Sequence, residues 1–435
     1  MTILVAVALL LQADDARVKR VVIVSVDSFR PAFYLSDDWE MPTVRGWAKD
    51  GAHAKGVESV FPSATYPAHA TIVTGVRPAK HGIRANNRLG ENGPLSEWHW
   101  DAAEIKARTL WQAAREKGLK TAIVLWPSTV GAEVDWLVPE RWAVRDGEKT
   151  AELLAKHSTK GLAAELILAI GAPQSVDKRA GMDQFIADAA AYVFRKYKPH
   201  LMFVHVGEVD HLSHRDGPAA DAVKAAVKET DGHLARLRAA IEKSGLAEET
   251  LLLVTGDHGF LPVTHAIAPN VLLAEAGLIT LEDGKVREWK ALAFASGGAG
   301  AVHVKGADAA AVRALLEKGA TVGGRRTFRV LSEKEKADLG YDGEMPIALE
   351  AEEGYSFGMA TTGAFLSEAK TVKGQHGYLP TRPAMRTGFV AAGAGVRAGS
   401  SVELMRLVDI APTVAKVLGL EMKDVEGRVL SELLR

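Results

Sequence analysis

Val21-Val22-Ile23-Val24-Ser25-Val26-Asp27 is an apolar, β-branched run that ends on a carboxylate. A run of this length without polar alternation reads as a strand buried on both faces, the habit of a parallel sheet. The pattern returns at Leu201 to Val206 (LMFVHV), shortly before Asp210, and at Leu251 to Thr255 (LLLVT), before Asp257. Thr121 to Leu125 (TAIVL) and Gly388 to Ala392 are further strand candidates. Helical patterns lie between them. Leu110 to Lys117 stops at Gly118, Asp183 to Tyr197 is closed by Pro199, and Pro218 to Lys243 ends before Gly245. Leu407 to Leu418, ended by Gly419, reads as a terminal helix. Strands alternating with helices predict an α/β fold whose largely parallel central sheet is flanked by helices on both faces.

The stretch 262–373 breaks this rhythm with scattered glycines and short strands, and one helix is expected near Ala307 to Lys318. It reads as a small inserted cap on a core made of residues 20–261 and 374–435. Apolar content of 47% and charged content of 25% suit a globular chain with a large core. The 53 Lys and Arg nearly balance the 54 Asp and Glu, so no nucleic-acid-binding surface is evident, and attraction for an anionic substrate must be local. With no Cys, disulfides and thiolate ligands are excluded, so a metal site must be built from His and carboxylates. The apolar run Ile3 to Leu11 is too short to cross a bilayer but suits a signal-peptide core. Cleavage after residues 1–13 and export, periplasmic or extracellular, are therefore expected, with no membrane span in the mature chain.

In an open parallel sheet, ligands bind beyond the carboxyl ends of the strands. Asp27, Asp210 and Asp257 should gather there, however far apart in sequence. His214 lies four residues after Asp210, on the same face of a helical turn. His258 follows Asp257 directly, and His376 sits in Gly-Gln-His-Gly-Tyr, where glycines permit a close approach. Three carboxylates and three imidazoles suffice for two divalent ions with positions left for substrate. Each piece alone has an ordinary reading as a cap or a solvated pair; their shared placement favours a site. In Phe61 to Gly75 (FPSATYPAHATIVTG), Pro67 suits the first helical position, which puts Thr65 or Tyr66 at a helix start, a place that favours anions. A threonine hydroxyl is a poor nucleophile unless a metal activates it, and Thr65 as a plain N-cap stays open on periodicity alone.

Asp27, FPSATYPAHATIVTG at 61–75, HGIRANN at 81–87, LWPS at 125–128, EVDHLSHRDGP at 208–218, TGDHGF at 255–260 and GQHGY at 374–378 stand in this order. Together they resemble the nucleotide pyrophosphatase/phosphodiesterase branch (type I phosphodiesterases) of the alkaline phosphatase superfamily, from about Val21 to Leu420. The resemblance implies an alkaline-phosphatase-like sandwich that hydrolyses phosphodiester or pyrophosphate bonds of small molecules, nucleotides included, through a covalent phospho-threonine. It implies two divalent ions, with Zn expected. Asp210, His214 and His376 would hold one, and Asp27, Asp257, His258 and the Thr65 oxygen the other. Asn86 and the backbone N–H of Tyr66 would bind a non-bridging phosphate oxygen. Leu125 and Trp126 of LWPS, with Trp136 and Trp142 in the region that supplies a base-stacking aromatic in nucleotide-cleaving members, would contact substrate. Ser213 and Ser128 replace glycines usual in the family, which loosens the expectation of a nucleotide leaving group. A phosphomonoesterase would need extra cations, for which Arg84 and Arg88 are candidates. A non-catalytic homologue should have lost one of the seven metal and nucleophile positions, and all seven hold competent side chains. A sulfatase would usually need a Cys.

Overall fold

Nine strands form one sheet in this computed structural model, which describes residues 18–90, 93–173, 181–341 and 346–435. The expected signal peptide, residues 1–13, lies outside them. The strands are β1 (Arg20–Val26), β2 (Ala52–Glu58), β3 (Thr121–Val124), β4 (Trp136–Val138), β5 (Leu201–Val206), β6 (Thr250–Thr255), β7 (Thr387–Gly393), β8 (Ser400–Val402) and β9 (Met405–Arg406). Their order is β8-β2-β7-β6-β1-β5-β3-β4, and β9 also pairs with β2. From β6 to β4 every pairing is parallel; β7 runs antiparallel to both β6 and β2.

The apolar runs are explained by what covers them. Successive side chains of a strand point to opposite faces. Val21 and Ile23 of β1 enter one core with Ala68 and Ile72 of α2 (Thr65–Thr74), Leu110 and Trp111 of α3 (Leu110–Glu116) and Val414 of α7 (Ile410–Leu418). Val22, Val24 and Val26 enter a second core with Val44 of α1 (Pro42–Asp50), Phe194 of α4 (Met182–Tyr197) and Leu234 of α6 (Asp221–Lys243). With both faces dry there is no place for polar alternation. Each such aliphatic side chain, wholly buried, contributes about 1.5–3 kcal/mol.

Helix limits follow local chemistry. The Thr109 side chain accepts from Gln112 N while Gln112 Oε1 accepts from Thr109 N at 2.9 Å, a capping box that starts α3, and Gly118 at φ 74° ends it. The helix expected from Pro218 begins at Asp221 instead. A short helix, α5 (Glu208–Asp216), occupies the preceding stretch, and Gly217 at φ 89° redirects the chain before α6 can start.

After β6 the chain builds smaller sheets. Leu261–Ile267 is flanked by Gly354–Phe357 and Leu366–Gln375, while Ala291–Ser296, Ala299–Val304, Ile347–Ala351 and Phe328–Val330 form a four-stranded sheet. A helix spans Ala309–Gly319, close to the expected 307–318. Leu292, Val302, Leu316, Phe328 and Leu349 form part of a core of their own. The last of these strands runs straight into His376. Among the described residues, no helix is long and apolar enough to cross a membrane.

Candidate active site

The register of three strands assembles the site. Val26 pairs with Val206, and Ser25 with Thr255, so Asp27 leaves the sheet level with Gly207 on one side and Asp257 on the other. Asp210 lies in the first turn of α5. His214, one turn further along α5, brings Nε2 to 3.5 Å from Asp210 Oδ1. His376 Nε2 approaches the same oxygen at 3.9 Å. His258 Nε2 lies 3.4 Å from Asp27 Oδ1 and 3.2 Å from Asp257 Oδ2. The rings of His258 and His376 stack at 3.7 Å, which joins the two groups into one cluster.

Each histidine is oriented in the same way. Nδ1 of His214, His258 and His376 meets a backbone carbonyl, of Gly374 at 3.1 Å, Gly259 at 3.2 Å and Ser63 at 2.9 Å. A carbonyl only accepts, so Nδ1 carries the proton and Nε2 turns a bare lone pair into the cluster, the state a metal ligand requires. Asp257 is treated alike: Oδ1 accepts from the N–H groups of Ser28 and His258, both at 3.0 Å, and Oδ2 is left facing inward. Asp27 Oδ1, Asp257 Oδ2 and His258 Nε2 are buried without a hydrogen-bond partner. Buried orphans of this kind call for an ion.

Electrostatics point the same way. Burial, then the charges of Asp210 and Asp257, hold the Asp27 carboxyl well above the usual range. Burial also raises Asp257. Burial pushes His258 down to about 4, and burial followed by the neighbouring His258 and His214 takes His376 well below its ordinary value. Carboxylates that repel and imidazoles that stay neutral are the donor set that a divalent cation stabilises. Oxygen and nitrogen donors without sulfur fit zinc and its neighbours. Two three-residue sets stand out by geometry, Asp210 with His258 and His376, and Asp27 with Asp257 and His258.

Thr65 is the first residue of α2, and Pro67 is its third rather than its first. A proline is tolerated there because the first N–H groups of a helix have no partner within it. The Ser63–Gly377 bridge, with Gly377 N donating to Ser63 O at 2.9 Å, pins the approach to Thr65 against the His376 loop. Gly377 is required at that point: its φ is 97°, and a Cβ would stand 1.9 Å from Ser296 O.

A cavity of about 470 Å³ opens over this cluster. Thr65, Asn86, Asp210, His214 and His376 line it together with Trp98, Trp100 and Trp142. The rings of Trp98 and Trp100 lie 5.7 Å apart and nearly parallel. A second cavity, of about 240 Å³, shares Asn86, His214 and His376 and continues to Arg84, Phe294 and Tyr341.

Several expected contacts are placed differently. The Tyr66 N–H donates to Asn86 Oδ1 at 2.9 Å instead of facing the cavity, which leaves the Asn86 amide nitrogen as the donor on offer. Trp126 is wholly buried, edge-on to His69 and Phe203 at 4.8 and 5.3 Å, so it is core and touches neither cavity. Leu125 is buried beside it, at φ 56°. Trp136 stacks on Tyr197 at 4.6 Å. Of the four residues expected to contact substrate through that region, Trp142 alone lines either of these two cavities. Arg88 is ion-paired to Asp101 and Glu104. The two departures from the family pattern are accommodated: Ser128 adopts φ 56°, where glycine is favoured, and Ser213 Oγ donates to Val209 O at 2.7 Å.

Sequence reading missed His205, Glu140 and His69. His205 Nε2 lies 3.3 Å from Asp27 Oδ2, and Nδ1 lies 3.0 Å from Glu140 Oε2. Burial alone would lower its pKa, but hydrogen bonds to Asp27 and Glu140 prevail and raise it to about 10. The signal was a titratable residue inside the otherwise apolar run LMFVHV, on the strand next to Asp27. His69, four residues after Thr65, holds Nδ1 at 2.7 Å from the Thr65 carbonyl and is buried near Asp257.

A family model for type I phosphodiesterase / nucleotide pyrophosphatase matches residues 21–379, a span that includes every metal and nucleophile candidate. Ectonucleotide pyrophosphatase/phosphodiesterase family member 1 of Homo sapiens is 25% identical over 240 residues, 54% of this chain and 23% of that protein. Family member 7 of Rattus norvegicus is 27% identical over 254 residues, 56% of this chain and 50% of that protein. The matches thus take in from about a quarter to half of these relatives' length. A solved structure of murine ectonucleotide pyrophosphatase / phosphodiesterase 5 aligns with a TM-score of 0.68 at 20% identity, over 96% of this chain and 100% of that one. The α/β architecture expected from the strand pattern is thereby shared with a known fold. On the strength of the family match, this chain belongs to the type I phosphodiesterase / nucleotide pyrophosphatase family.

Proposed function

We propose that this chain hydrolyses phosphodiester or pyrophosphate bonds of small molecules, with Thr65 as covalent nucleophile and two divalent ions, zinc by preference, as cofactors. The observation that carries this is the common orientation of His214, His258 and His376, each with Nδ1 on a backbone carbonyl and Nε2 aimed at the buried carboxylates. Asp210, His214 and His376 would hold one ion, and Asp27, Asp257, His258 and the Thr65 oxygen the other. When bound, the ions supply Lewis acidity that favours the alkoxide of threonine and neutralises charge on the departing oxygen.

The chain's own groups do the rest. Thr65 Oγ, its proton released to solvent, forms a bond to phosphorus opposite the leaving oxygen, which departs with its electron pair and is protonated by solvent. Water then cleaves the threonine ester and restores the hydroxyl. The amide nitrogen of Asn86 donates to a non-bridging phosphate oxygen throughout. The two cavities meeting at Asn86, His214 and His376 give room for both substituents of a diester. A monoesterase needs spare cations beside the phosphate; Arg88 is already paired, and Arg84 lines the smaller cavity. Residues 262–373 serve as the cap that shapes the substrate choice, and export through residues 1–13 places the enzyme outside the cytoplasm. The test compares a chromogenic phosphate diester with its monoester on zinc-loaded protein, beside Thr65→Ala. Diester preference abolished in the variant is expected. Monoester preference would overturn the diester reading, and full activity in Thr65→Ala the covalent one.

A further inference from the structure

Glu140 stands two residues beyond β4 and is 1% exposed, yet no step of the proposed reaction uses it. Burying a carboxylate is costly unless charge and hydrogen bonds compensate. Glu140 is bonded at both oxygens. Tyr66 Oη donates to Oε1 at 2.9 Å, Trp142 Nε1 donates to Oε1 at 3.1 Å, and His205 Nδ1 lies 3.0 Å from Oε2.

The three partners lead to three separate parts of the site. Tyr66 follows Thr65 in α2, and its N–H holds Asn86. Trp142 forms part of the aromatic wall of the larger cavity. His205 reaches Asp27 through its other nitrogen at 3.3 Å. These parts come from different elements of the sheet and its connections, and the Glu140 carboxylate is bonded to all of them. A carboxylate has lone pairs enough for three donors, whereas a residue serving only as a counter-charge would need just His205.

We propose that Glu140 is a positioning residue, holding the nucleophile's helix, the aromatic wall and the metal-binding carboxylate Asp27 in fixed relation. In its kinetic part this rests on the phosphodiesterase reading; in its metal part it does not. A group that orients a metal ligand typically carries about 10–100-fold in metal affinity or activity, and here that group is His205, which Glu140 holds in place.

The test uses Glu140→Gln and Glu140→Leu in the full chain, with zinc affinity measured by chelator competition and KM and kcat measured on a chromogenic diester. The amide oxygen of Gln can still accept from Tyr66 and Trp142, but its nitrogen cannot accept from His205. Zinc affinity should therefore fall about tenfold or more in both variants. KM should rise severalfold in Glu140→Leu alone. Unchanged zinc affinity in Glu140→Gln overturns the proposal, as does a Glu140→Leu variant whose KM equals that of Glu140→Gln. Should Glu140→Leu fail to fold, zinc affinity in Glu140→Gln decides. If the wild type cleaves no diester, the functional reading falls alone, and the zinc measurement still decides on Glu140.

Discussion

Replacing Asp27 by Asn should move the stability of metal-free and zinc-loaded protein in opposite directions. In the metal-free chain, burial and then Asp210 and Asp257 raise the folded-state pKa of Asp27 well above its unfolded value. A carboxyl group of this kind binds its proton more tightly when folded. Its contribution to stability is present below the unfolded pKa, near 4, and is lost as pH rises through the folded one. At about pH 8 the metal-free wild type therefore carries a penalty that the uncharged amide avoids, and Asp27→Asn should be the more stable. Zinc reverses the order. An ion at a hundred times its Kd adds about 2.7 kcal/mol. Unfolding entropy of about 2.1 cal/mol/K per residue over 435 residues gives roughly 0.9 kcal/mol/K, so each ion is worth about 3 °C of Tm and a pair about 6 °C. Asp27→Asn keeps Asp210, His214 and His376, and should retain roughly half of that shift. Calorimetry after chelation, with and without zinc, and again at about pH 5, where the metal-free difference should shrink, reads all three quantities. A metal-free variant less stable than wild type at the higher pH, or a variant with the full zinc shift, would refute the reasoning.

Two further outcomes are expected. Asn86→Ala removes the donor proposed for the phosphate and frees the Tyr66 N–H it now accepts from, so kcat should fall about 10²–10³-fold, and an unchanged kcat would remove Asn86 from the reaction. Trp126→Ala should cost about 3–5 kcal/mol of stability with KM unmoved, while Trp142→Ala should raise KM and, by taking one donor from buried Glu140, cost a smaller amount, about 1–3 kcal/mol; thermal melts beside steady-state kinetics separate the pair, and the reverse pattern would contradict the burial of Trp126.

The fold was legible where a local pattern had a single meaning. VVIVSVD, LMFVHV and LLLVT read as buried strands, and their shared register places Asp27, Asp210 and Asp257 together as the parallel-sheet rule requires. The antiparallel insertion of β7 between β6 and β2 was not legible, because partner choice depends on contacts between residues more than a hundred positions apart. The metal-ligand candidates were legible as pairs at helical or adjacent spacing. Glu140 and His205 were not, since their contacts exist only where β5 passes beside β1 and the chain just beyond β4 reaches His205. Trp126 was expected at the substrate because LWPS resembles the family motif, whereas here Leu125 stands at φ 56° and the indole lies in the core.

In the proposed reaction Thr65 takes the phosphoryl group before water does. The most direct measurement is the stereochemistry at phosphorus when the enzyme hydrolyses a chiral phosphorothioate diester in isotopically labelled water. Two successive in-line displacements, first by Thr65 and then by water, predict retention of configuration. Inversion would mean a single displacement by water and would contradict the account.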